Sequence, residues 1–135
     1  MDMRKTFGGD KTLERDGVEL HLGGDAYITV ARAGGTNVAY QHALQKRIRP
    51  YQSKSGYIEN DTYIDILKQT FADAVVLDWR GLELDGEPLP YSRDNALRLM
   101  RELPDLWDII KTHAEKLANF QQEEIAEMGK ASPTP

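Results

Sequence analysis

An α+β domain, predominantly α, follows from three features of the sequence. Alternating apolar and polar residues over 18–22 and 26–31, around Gly23-Gly24-Asp25, predict an antiparallel hairpin near the N-terminus. Apolar residues at helical spacing in four later stretches predict about four helices. The chain has 135 residues, 40% of them hydrophobic, which suits a single domain of ordinary size.

Residues 1–12 are polar and contain Gly8 and Gly9, so a flexible N-terminus is expected. In the second strand Tyr27, Thr29 and Ala31 share one face, Ile28 and Val30 the other. A lone hairpin is marginal in water, so its apolar face must pack on helices or on another chain. Gly34-Gly35-Thr36 leads to Asn37, a plausible N-cap for the first helix. Tyr40, Ala43, Leu44, Arg47, Ile48 and Tyr51 fall on one face of it, and Pro50 predicts its end near Arg49. Residues 52–57 read as a polar loop. Asn60 or Asp61 caps a second helix running to about Leu77, with Tyr63, Leu67, Phe71 and Ala74 as its stripe and Ile66 and Thr70 beside it.

Residues 74–100 are the stretch on which the chain turns. An apolar helix end, Ala74-Val75-Val76-Leu77, leads to Trp79. Two short arms then flank Asp85-Gly86, a strong signal for a tight turn because glycine accepts positive φ. Pro88 and Pro90 bar a regular central strand, so a compact turn or an edge hairpin is expected. Ser92 opens a third helix as its N-cap, with Asp94 at the positive helix end. That helix extends to Leu103 and buries Ala96, Leu99, Met100 and Leu103. Pro104 suits the first position of a fourth helix, predicted from Asp105 to about Met128 with Leu106, Trp107, Ile110, Ala114, Leu117 and Phe120 inward. Gly129 is its expected C′ residue, and residues 129–135 are expected to be a disordered tail.

The order of residues in this central stretch resembles the signature of the small tail assembly chaperones of long-tailed bacteriophages. That signature is a Trp followed by Gly and an aliphatic residue, then Asp-Gly, a Pro, an aromatic before Ser or Thr, Asn-Ala and a leucine pair. Trp79, Gly81, Leu82, Asp85, Gly86, Pro88, Tyr91, Ser92, Asn95, Ala96 and Leu99 occupy the matching positions. Residues 26–30, and Tyr40 through Tyr51, fit more loosely. The resemblance covers roughly residues 18–120 and makes 13–128 a tail-assembly-chaperone-like domain. It implies a protein that binds the tape measure protein, keeps it soluble and helps recruit the tail tube protein. It further implies a homo-oligomer in the host cytoplasm, absent from the mature virion, with some relatives also made as a longer frameshifted product. Trp79, Gly81, Asp85, Gly86, Pro88, Tyr91, Ser92 and Asn95 are then a fold-defining motif rather than a contact surface. The alternative is a structural head–tail joining or tail-terminator protein of the virion.

Other chemistry finds little support. The net charge of −5 disfavours a general nucleic-acid binder. The absence of cysteine excludes disulfides and thiolate metal sites. No apolar run approaches the length of a membrane span, and Met1-Asp2-Met3-Arg4-Lys5 lacks the apolar core of a signal peptide. The Gly34-Gly35 loop lies between strand and helix, as phosphate-binding loops do, but has neither a Walker Lys nor dinucleotide glycine spacing. His21, His42 and His113 lie far apart, without the pattern of a zinc site. Asp61 with Asp65, and Glu123, Glu124 and Glu127, read as solvated faces rather than acid–base pairs. No enzyme, metal or cofactor is therefore expected.

One asymmetry bears on partners. Residues 26–58 contain no Asp or Glu but carry Arg32, Lys46, Arg47, Arg49 and Lys54, whereas the chain from Asp105 onward is rich in acids. Complementary halves can guide association, and ordinary scatter of charge gives the same pattern. Tyr40, Arg47, Arg49 and Tyr51 on the first helix are the candidate partner-binding residues.

Overall fold

The computed structural model describes residues 1–121. The expected helical continuation to Met128, the acids Glu123, Glu124 and Glu127, Gly129 and the 129–135 tail lie outside the described residues. The fold is α+β in one domain, with the expected hairpin followed by four α-helices.

The hairpin is β1 (Val18–Gly23) and β2 (Ala26–Val30), paired in register from Val18 opposite Val30 to His21 opposite Tyr27. A third strand, β3 (Val76–Arg80), lies antiparallel against the other side of β2, giving the order β1-β2-β3. Here the structure corrects the sequence. Helix α4 (Asn60–Ala74) stops at Ala74, and the apolar run that periodicity extends to Leu77 is divided between helix and strand. Two long-range bonds fix the division. Asn37 Nδ2 donates to the Ala74 carbonyl at 3.1 Å, and the Ala31 amide donates to the Val75 carbonyl at 2.8 Å. Backbone groups that could have continued the helix are thus taken by the sheet side of the molecule.

Helix α3 (Val38–Gln52) is capped by Asn37 as expected, but it runs through Pro50. Pro50 costs one hydrogen bond in the final turn, where Ser53 closes the end through its amide to the Arg49 carbonyl and its Oγ to the Pro50 carbonyl. The face predicted for α3 is the face that packs. Tyr40, Ala43, Leu44, Arg47, Ile48 and Tyr51 are half-buried, and no α3 residue is fully buried. In α4 the buried stripe is Ile66, Thr70, Phe71, Ala72 and Ala74, Tyr63 is exposed, and Glu59 rather than Asn60 or Asp61 occupies the cap position.

The Asp85-Gly86 turn joins β4 (Glu83–Leu84) and β5 (Glu87–Pro88), a two-stranded ribbon. Helix α5 (Arg93–Glu102) starts at the Ser92 cap and buries Ala96, Leu97, Leu99 and Met100, while Leu103 is exposed. Helix α6 (Pro104–Glu115) buries Trp107, Ile110 and Ala114. It ends well before Met128, and a 3₁₀ turn over Leu117–Phe120 follows. The Asn119 side chain donates to the His113 carbonyl and the Ala33 amide to the Ala114 carbonyl, so the last α6 carbonyls are met from outside the helix. Phe120 is fully buried nonetheless, reaching the interior by the turn instead of by helical spacing.

Residues 1–12, expected to be flexible, carry two short helices, α1 (Met3–Phe7) and part of α2 (Lys11–Asp16), each capped by an aspartate. The Gln121 amide donates to the carbonyls of Lys5 and Gly8, and the Asp10 amide donates to the Phe120 carbonyl, so this end packs beside the 3₁₀ turn. The core is common to all layers. Ile28 and Val30 from the sheet meet Phe71 and Val75, Ala96 and Met100, and Trp107 and Ile110.

Candidate functional site

The eight motif residues form one corner. Trp79, buried in β3, donates from Nε1 to the Leu89 carbonyl at 2.8 Å. Its ring meets Tyr91 edge-on at 5.2 Å, and Tyr91 Oη donates to the Val76 carbonyl. Burial raises the Tyr91 pKa, with Asp78 adding to the effect, so the hydroxyl stays a donor. Gly81 has φ +74°, and a Cβ there would lie 2.2 Å from the Asp25 carbonyl oxygen. Asp85 and Gly86 both have positive φ, the pattern of a type I′ turn. Pro88 sits opposite Glu83 on the ribbon edge, as the prolines required. Ser92 Oγ accepts the Asn95 amide, and Asn95 Nδ2 donates back to the Pro90 carbonyl. Each residue thus has a geometric task in holding the ribbon against the sheet and α5.

The four candidate partner residues separate into two roles. Tyr40 packs edge-on to Phe71 at 6.0 Å, and burial raises its pKa. Arg47 pairs with Asp73 and donates to Gln69 at 3.2 Å, joining α3 to α4. Both are held by the fold. Arg49 is exposed, and Tyr51 is half-buried beside an open groove of about 410 Å³ whose walls are Arg47, Pro50, Tyr51, Lys54, Ile66 and Gln69. A second depression of about 360 Å³, lined by Ala43, Lys46, Arg47 and Asp73, follows the same α3–α4 seam. Lys46, Arg49 and Lys54 make no ion pair among the described residues. Around Tyr51 the seam offers a partly apolar floor of Pro50, Tyr51 and Ile66, with cations on its rim that make no ion pair among the described residues. Sequence periodicity identifies the α3 side of it. The α4 side, Ile66 and Gln69, required the helix pairing.

Asp65 of α4 accepts from Nε and Nη2 of Arg101 at 2.9 Å, which lowers its pKa, with Gln69 assisting. Asp73 bridges Arg47 and Arg93. These pairs bind α3, α4 and α5 together. Among the described residues no group of His, Asp and Glu could hold a metal, and no helix is long and apolar enough to cross a membrane.

A family model described as YdaY prophage protein matches residues 35–131. The match takes in well over half of the chain, including α3 to α6, β3 and the corner. The chain belongs to the YdaY prophage protein family. It is thus of bacteriophage origin, and the family match ends short of the N-terminal hairpin and of α1 and α2. No curated protein and no solved structure matches it significantly. Within the YdaY match, His113 supplies a prediction. Its Nδ1 accepts from the Asn119 amide at 3.3 Å, and the same amide donates to the His113 carbonyl. Burial, with Lys116 nearby, lowers the His113 pKa from the ordinary 6.5. The folded chain then binds this proton less readily than the unfolded chain, so stability is lost as pH falls below the ordinary histidine range. Melting temperature should drop between about pH 7.5 and pH 5, and H113Q should flatten that drop. An equal slope in the variant would contradict the assignment.

Proposed function

We propose that this prophage protein is a non-catalytic tail assembly chaperone. It binds the tape measure protein of its phage, keeps the long helices of that protein soluble and helps bring tail tube subunits to it. The observation that carries the reading is the corner. Trp79, Gly81, Asp85, Gly86, Tyr91, Ser92 and Asn95, which match the chaperone signature, lie close in space and together hold the ribbon against the sheet and α5, which supports reading them as one motif. The prophage family supports the same direction. So does the α3–α4 seam, because an amphipathic client helix docks through apolar anchors in a groove with polar groups at its rim. Such a protein acts in the host cytoplasm and needs no cofactor.

Co-expression with the tape measure protein of the same prophage tests this. The wild-type chain should raise the soluble yield of the client. The rim variant K46E/R49E/K54E should lose most of that effect while keeping its own melting temperature, because those cations pair with nothing among the described residues. Arg47 is unsuitable for this test, since reversing it would set an acid against Asp73. An insoluble client at unchanged yield would reject the chaperone reading, and recovery of the chain from purified virions would favour the joining protein.

A further inference from the structure

The β1 edge of the sheet is not covered by the described part of the chain. β1 is the outer strand, and among the described residues no backbone group of 18–22 bonds to anything beyond β2. Edge strands are ordinarily protected by lysine, proline, bulges or charges on the inward face. Residues 18–22, Val-Glu-Leu-His-Leu, have no lysine or proline, their one irregularity lies at the turn end between His21 and Gly23, and their inward row is Val18, Leu20 and Leu22. Leu20 and Leu22 pack against the core yet remain half-exposed, because the sheet stops beside them. The outward row is ordered as well. His21 stacks on Tyr27 at 4.4 Å, Arg80 lies 4.0 Å over Tyr27 from the β3 side, and Arg80 pairs with Glu19.

We propose that β1 pairs antiparallel with β1 of a second copy across a two-fold axis at Leu20, extending the sheet to six strands. The pleat limits the choices. Residues directly opposite in an antiparallel pair point to the same face, so only registers shifted by two residues keep the apolar row continuous. Centring on Glu19 would set two carboxylates opposite each other, which is destabilising. Centring on His21 would leave Val18 unpaired and set two imidazoles together. Centring on Leu20 pairs all five residues. Val18 then faces Leu22 of the copy, Leu20 faces its equivalent, and Glu19 faces His21, so no like charges are set opposite each other. The interface is isologous and closes as a dimer. It leaves the α3–α4 seam open, so it stands independently of the chaperone reading.

The chain lacks cysteine, which makes register measurable. E19C and H21C are prepared separately, one with a size tag, and treated with a short thiol-specific crosslinker alone and mixed. The expected result is a mixed E19C–H21C dimer several-fold more abundant than either self-crosslinked product. Sedimentation of the wild-type chain should show a concentration-dependent dimer, and V18K, which sets a lysine at the edge, should be monomeric with an unchanged circular dichroism spectrum. A monomer at every wild-type concentration would overturn the proposal. So would self-crosslinking of E19C or of H21C above the mixed product, or a V18K dimer as tight as wild type.

Discussion

Replacing Glu14 with alanine is expected to destabilise the fold by about 3–5 kcal/mol, the cost of leaving a buried charge without its partner. Glu14 is only 2% exposed. One carboxylate oxygen accepts Arg32 Nη1 at 3.1 Å, and the other accepts the Thr36 amide at 3.1 Å and its hydroxyl at 2.7 Å. The backbone joins in, since the Arg32 amide donates to the Glu14 carbonyl. Gly9 and Gly35 make room for this carboxylate, because a Cβ at either position would lie within 2.6 Å of one of its oxygens. Arg32 in turn lies over the Phe120 ring at 5.7 Å. A single residue of α2 therefore ties the N-terminal helices to the glycine loop before α3 and, through Arg32, to the 3₁₀ turn. In E14A the Arg32 cation and the Thr36 donors lose their acceptor together. The double variant E14M/R32L should recover much of the loss, because apolar residues of similar volume often replace a buried pair at little cost. Urea unfolding measures both. An E14A loss under about 1 kcal/mol would place the pair in the weak class of surface bridges.

The second large effect is expected from W79A, at about 3–5 kcal/mol, as for large buried aromatics. Trp79 fills the space between β2, where it sits opposite Ile28, and the ribbon. Its removal also frees the Leu89 carbonyl and takes away the edge-on partner of Tyr91. W79F should cost less, keeping an aromatic ring and losing chiefly the indole hydrogen bond, worth about 1 kcal/mol. Thermal melts of the two variants should therefore be well separated, and a W79A melt within a degree or two of wild type would remove the corner from its place at the centre of the fold.

How far the sequence foretells these features depends on whether each signal is local. The hairpin, the Asp85-Gly86 turn, the caps at Asn37 and Ser92 and the packed face of α3 all rest on neighbouring residues, and periodicity and turn chemistry reveal them. The division at Ala74 does not, because a continuous apolar run fits a helix or a buried strand equally well. It is decided by Asn37 and Ala31, both distant in sequence. The end of α6 is similar. Ala114, Leu117 and Phe120 keep helical spacing, yet Asn119 and Ala33 take the terminal carbonyls. Glu14 gives no signal at all, since a glutamate in a charged stretch looks the same whether solvated or enclosed. At the seam, α3 is legible as a half-buried basic face, but the commitment of Arg47 to Asp73 and the exposure of Arg49 appear only once α4 lies beside it.

The central claim is that a helical phage client docks on the α3–α4 seam. Hydrogen exchange of the chain, with and without the tape measure protein of its own prophage, tests it most directly. Slowed exchange on binding is predicted in residues 38–54 and 60–74, with the corner at 79–92 unchanged. Absence of binding, or protection confined to the corner or the N-terminal helices, would contradict it.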